Sequence, residues 1–199
     1  MLPLPFQRRI KHEDQRVAVL IDVQNMYHSA KHLFKARVNF QEVLKEAVLN
    51  RRLVRAMGYV VHSESEDEKS FFEALQKQGI ELRSKELQVF YGGMKKADWD
   101  VGIAIDAVNL SDSVDVIVLV SGDGDFIPLV EYLRNRGKIV EAVAFAKSAS
   151  SKLQQVVNNF VDLGADPRKF LLKRNISRGF TPKREVAPKG LIKKQGPPR

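Results

Sequence analysis

The sequence predicts an α/β fold, a mostly parallel central sheet with helices on both faces. Two apolar runs, 17-VAVLID-22 and 114-VDVIVLVS-121, read as buried strands because they are short and rich in β-branched residues. Helical segments separate the strand-like runs. Strands that alternate with helices build parallel sheets covered on both sides. The chain's 199 residues suffice for one domain with a sizeable core plus some extra chain.

After the first strand, 39-NFQEVLKEAVLNR-51 reads as a helix with Asn39 as its N-cap. A second strand falls in 53-LVRAMGYVVH-62, in its latter half. The stretch 63-SESEDEKSFFEALQKQG-79 predicts a loop and then a helix, with acids in the first turn and Gly79 past the end. Residues 80-IELRSKEL-87 alternate apolar and polar, as an exposed strand does. Gly92 and Gly93 mark a turn before a helix that runs to about residue 110. Beyond the strand at 114–121, 126-FIPLVEYLRNRG-137 predicts a helix with Pro128 in its first turn. A last strand at 139–145 and a short helix at 149–160 follow.

Composition narrows the function classes. Hydrophobic residues make up 44% and charged residues 29%, the balance of a soluble globular protein. No apolar run approaches a membrane span, and residues 1–15 hold no secretory h-region. Cysteine is absent, which excludes disulfides, zinc knuckles and thiol nucleophiles and fits a cytoplasmic location. The net charge of +9 is uneven. Residues 171–199 hold nine Lys or Arg and one acid, a net +8, so the first 170 residues carry only +1. The expected organisation is an N-terminal extension at 1–13, a domain at 14–170 and a flexible basic tail at 171–199. That tail reads either as a solvated end or as an arm for nucleic acid.

Ligands of open parallel sheets bind beyond the carboxyl ends of the strands. Asp22 ends the first strand, and Asp123 and Asp125 follow the strand at 114–121. In the helix around 98-DWDVGIAIDAV-108, Asp100 sits near the start and Asp106 lies two turns in. An acid on a mostly apolar helix needs either a basic partner or a functional role, and Asp106 takes the second reading. Carboxylates gathered without His or Cys favour a hard cation, Mg²⁺ or Mn²⁺. Such an ion activates water and screens a phosphodiester.

Three motifs in this order, 18-AVLIDVQNMY-27, 96-KADWDVGIAIDAV-108 and 117-IVLVSGDGDFIPLV-130, resemble the NYN domain, in its LabA-like branch. That family belongs to the PIN-like nucleases. The resemblance spans roughly residues 14–165. It implies a PIN-like, Rossmann-like three-layer α/β/α sandwich and metal-dependent hydrolysis of RNA. Carried over by position, Asp22, Asp100, Asp106, Asp123 and Asp125 form the catalytic set. Asp22, Asp106 and Asp123 hold the metal, with Asn25 and Ser121 beside them as substrate-binding groups. Asp98 falls outside the motif and reads as a helix cap.

Lys95 and Lys96, next to the glycine pair, read as phosphate contacts or as a solvated surface pair. Tyr27 and His28 either stack on a base or pack inward. His12, His32 and His62 show no ligand spacing. The expected function is a Mg²⁺- or Mn²⁺-dependent endoribonuclease with RNA as partner and the tail adding affinity. The rival is a regulatory RNA- or protein-binding module that keeps the acids but does little chemistry. A small-molecule phosphohydrolase fits less well, since small substrates need no basic arm. No membrane contact is expected, and a homodimer stays open.

Overall fold

The computed structural model describes residues 12–62, 66–86, 88–89, 95–96 and 98–172. Six strands form its central sheet: β1 (Arg16–Asp22), β2 (Arg52–His62), β3 (Glu81–Glu86), β4 (Val116–Val120), β5 (Ile139–Ala144) and β6 (Asn159–Asp162). Their spatial order is β3-β2-β1-β4-β5-β6, and every neighbouring pair is parallel. The antiparallel pairings lie in two short ribbons outside this sheet. One joins Arg37–Val38 to Leu171–Leu172, the other Gln88–Val89 to Lys95–Lys96.

Alternation along β1 and β4 sorts the core into two layers. Val17, Val19, Ile21, Val116, Val118 and Val120 face one side. There they meet helices α1 (Val23–Phe34), α2 (Phe40–Val48) and α3 (Glu66–Lys77). Ala18, Leu20, Ile117 and Leu119 face the other side. There they meet α4 (Asp100–Ser111), α5 (Ile127–Asn135) and α6 (Ser151–Val156). A short α7 (Pro167–Phe170) closes the first layer through Phe170. The α/β/α sandwich is therefore as expected. No described helix is long and apolar enough to cross a membrane.

Local chemistry sets the element ends. The Asn39 side chain accepts the Glu42 N–H and starts α2, and Lys35 in the left-handed region (φ 53°) ends α1. Three elements depart from expectation. Helix α1 fills a stretch with no assigned structure. Strand β2 is extended from Arg52, not only in its latter half, because Arg52 and Leu53 pair with Arg16 and Val17. The helix expected over 149–160 stops at Val156. Past it, Asn158 exchanges backbone and side-chain hydrogen bonds with Val140 (2.7 and 2.9 Å), which starts β6 alongside β5.

A buried ion pair locks α2 to the sheet. Arg51 donates to the Ala47 and Val48 carbonyls (2.7 and 3.0 Å) and to Glu141 Oε2 (2.9 Å) on β5. One guanidinium thus caps the helix carbonyls and neutralises an acid in the core.

Candidate functional site

The strand order reverses between β1 and β4. From β1 the chain builds outward through β2 and β3, and from β4 it builds the other way through β5 and β6. Such a switch point opens a crevice at the carboxyl ends of the two strands. Asp22 ends β1, and Asp123 lies three residues past the end of β4. The parallel pairing of β1 with β4 brings these two acids to the same edge.

Each acid is set by its local turn. Asp22 is the N-cap of α1, its Oδ1 accepting the Asn25 N–H at 3.0 Å. Asp123 caps a single 3-10 turn (Gly124–Phe126) by accepting the Asp125 N–H at 3.0 Å. Asp100 opens α4, whose N-terminal end favours a negative charge. Trp99 holds that end down. Its indole donates to the Val60 carbonyl at 2.9 Å and stacks near Tyr59, while the Lys85 ammonium lies 4.2 Å from the ring. Trp99, not Asp98, stands at the N-cap position of α4, and its side chain makes no cap hydrogen bond. Asp98 is exposed and acts on Asp100 through its charge.

The acids feel one another. Burial pushes the Asp22 carboxyl up to about 6. The Asn25 N–H opposes that rise, and the charges of Asp100 and Asp123 add to it. Asp100 is raised as well, by burial first and then by Asp123, Asp98 and Asp125, against Lys85. The four acids Asp22, Asp100, Asp123 and Asp125 therefore share one electrostatic neighbourhood. Asp106 has partners of its own. Its Oδ2 accepts the Tyr59 hydroxyl proton at 2.9 Å and lies 3.8 Å from the Arg83 guanidinium. A basic partner from another element, the ordinary alternative for a helix acid, is what Asp106 finds. Burial and this hydrogen bond hold the Tyr59 hydroxyl protonated, raised above its usual range.

The polar neighbours are also structural. Asn25 Oδ1 accepts the Gly122 N–H at 3.1 Å, tying the first turn of α1 to the acid loop. Ser121 was expected to touch substrate. Its side chain is instead buried, with its Oγ accepting the Asp123 N–H at 3.2 Å, so it shapes the loop from beneath. Lys95 and Lys96 lie in the short ribbon, and their side chains fall outside what is described. Tyr27 is engaged with Lys31, whose ammonium sits 5.4 Å from its ring. The arm expected at 171–199 lies outside the described residues from position 173 on.

The profile of the NYN domain matches residues 16–164, which contain every acid named above. The chain belongs to the NYN domain family. Over 182 residues it is 28% identical to the low amplitude and bright protein LabA of Synechococcus elongatus, spanning 87% of this chain and 96% of LabA. An uncharacterized protein of Methanocaldococcus jannaschii is 26% identical over 155 residues, spanning 77% of this chain and 57% of that protein. The crystal structure of a protein of unknown function from Vibrio parahaemolyticus shares the fold, with a TM-score of 0.75 at 31% identity. It covers 81% of this chain and 99% of its own. Membership of the NYN family supports a nuclease or RNA-related role for this chain.

A hard cation suits the donor chemistry of this NYN site. The donors are carboxylate oxygens, and a positive charge would relieve the strain of burying Asp22 among other acids. Among the described residues, no three His, Asp or Glu groups close on one point.

Proposed function

We propose that this NYN domain is a Mg²⁺- or Mn²⁺-dependent ribonuclease. The observation that carries the reading is the coupling of Asp22, Asp100, Asp123 and Asp125 at the switch point of a parallel sheet. Acids pressed together against a polyanion raise the energy of both unless a cation intervenes. Asp22 and Asp123 would hold the ion directly. Asp100 and Asp125 would act through bound water. A divalent cation bound there supplies an activated water and screens the phosphodiester. Asn25 and Ser121 keep the acid loop in position. Asp106, tied to Tyr59, fixes the angle at which α4 offers Asp100. The basic tail adds nonspecific affinity for phosphates, not chemistry.

The test is incubation of the purified full chain with labelled RNA and labelled DNA in Mg²⁺, Mn²⁺ or EDTA. RNA cleavage that needs the cation is expected. A folded protein that binds RNA but cuts it under none of these conditions would overturn the enzyme. It would favour the second reading, a regulatory RNA-binding module. The engagement of Asp106 by Tyr59 and Arg83 supports that reading, because it leaves one fewer acid for an ion.

A further inference from the structure

A groove of about 390 Å³ lies directly beside the acids, between the acid loop after β4 and the loop that follows β5. Asn25, Gly122, Asp123 and Gly124 line one side, and Lys147 and Ser148 line the other. The two loops are bolted together. The Ser150 N–H donates to the Gly122 carbonyl at 2.9 Å. A Cβ on Gly122 would stand 2.9 Å from Ala149 Cα, and one on Gly124 would stand 3.0 Å from Ser150 Oγ. Glycine at both positions is what lets the two loops touch.

The loop that carries Lys147 is held on both sides. The Ala146 N–H donates to Asp162 Oδ1 at 2.9 Å, and the Gln154 amide donates to the Ala146 carbonyl at 3.2 Å. The Ser148 and Ala149 N–H groups both return to the Phe145 carbonyl. Lys147 itself is exposed and forms no ion pair with any described residue. Among the described residues that line the groove, it is the one positive charge. A fixed backbone with an unpaired ammonium, next to an acid, is arranged for an anion that must approach that acid.

We propose that this groove binds a backbone phosphate of single-stranded RNA next to the cut, with Lys147 as its cation. This rests on the nuclease reading above and adds the phosphate subsite to it. The groove lining holds no aromatic ring among the described residues, so nothing there stacks on a base. Contact with phosphate alone positions a strand without reading its sequence.

The test measures binding, not cleavage. Full-length wild type, Lys147→Ala, Lys147→Arg and Lys147→Glu are titrated with fluorescein-labelled poly(U) and poly(A) in EDTA across a salt series. Lys147→Ala should weaken both RNAs by about two- to fivefold at low salt, the worth of one solvent-facing ion pair. The slope of log affinity against log salt should flatten by about 0.7, the share of one phosphate on a single strand. Lys147→Arg should keep the slope, and Lys147→Glu should weaken binding further. If Lys147→Ala binds both RNAs as the wild type does, the subsite is refuted while the nuclease reading stands. A loss confined to one sequence also refutes it, since that is base readout. If the wild type binds neither RNA at any salt in EDTA, the subsite is refuted, while the nuclease reading, which needs the cation, is decided by cleavage in Mg²⁺ or Mn²⁺.

Discussion

Replacing Asp22 by asparagine should make the protein more stable. The folded carboxyl sits at about 6, against an ordinary 3.8. Below 3.8 it is protonated in both folded and unfolded chains, and the folded state is not penalised. As pH rises, the unfolded chain releases its proton first, while burial makes the folded chain hold its proton until about 6. Stability present at low pH is thus lost across that window, and the whole penalty stands above it. The rise corresponds to about 3 kcal/mol. Asparagine mimics the protonated carboxyl in shape, and its Oδ1 still accepts the Asn25 N–H that starts α1. For a chain of this size the gain is on the order of 6–12 °C in Tm. The assay is thermal melting of wild type and Asp22→Asn in EDTA, at about pH 7.5 and about pH 3.5. The variant should melt higher at the first pH, and the gap should close at the second. Added Mg²⁺ or Mn²⁺ should raise the wild type toward the variant and leave the variant unmoved. A variant that melts no higher than wild type at neutral pH, or higher by the same margin at both, would show that the charged Asp22 carboxyl is not held at a cost to folding.

Other sites give sharp outcomes too. Gly102→Ala would put a Cβ 2.6 Å from the Trp99 ring. Overpacking costs about 1–3 kcal/mol and the helix regains about 1, so a modest loss of Tm is expected. Trp99 is the chain's single tryptophan, so its fluorescence should shift to the red in this variant; unchanged emission would show that the indole is not confined. Glu141→Gln strands the buried Arg51 charge and should cost about 3–5 kcal/mol by urea denaturation. A midpoint equal to wild type would contradict the pairing. The Arg16 side chain and backbone N–H hold Asp115 down at about 2. That stability is present above 3.8 and is lost as pH falls through about 2. Asp115→Asn should therefore melt slightly lower at neutral pH and equally at the acid end; a pH-independent gap would contradict it.

Legibility followed burial. The two central strands are apolar on both faces, so β1 and β4 could be read from their runs alone, and the acids beyond them came with the strands. Helix α1 hid because its buried residues, Val23, Met26 and Ala30, are spread among Gln24, Asn25, His28 and Ser29. Their three- and four-residue spacing was the available signal. Strand β6 was masked by polarity. Asn158 and Asn159 suit a helix end as well as a strand start, and only the pairing with β5 decides between them. Asp106 shows the limit for sites. Its spacing in the motif says nothing about Tyr59 and Arg83, which reach it from β2 and β3. Lys147 escaped for the same reason. It lies more than twenty residues past Asp123, on a separate loop, and only the glycines at 122 and 124 hint that another loop packs there.

On the proposal above, the acids at the switch point make a cation-dependent RNA-cleaving site. The most direct measurement compares the cleavage rate of labelled RNA by wild type and by Asp123→Asn, each with its fold verified by melting, in Mn²⁺ and in EDTA. Wild type should cut in Mn²⁺ and stop in EDTA, and Asp123→Asn should stay at the EDTA baseline in both. RNA cut by Asp123→Asn at the wild-type rate, or by wild type equally well in EDTA, would contradict the claim.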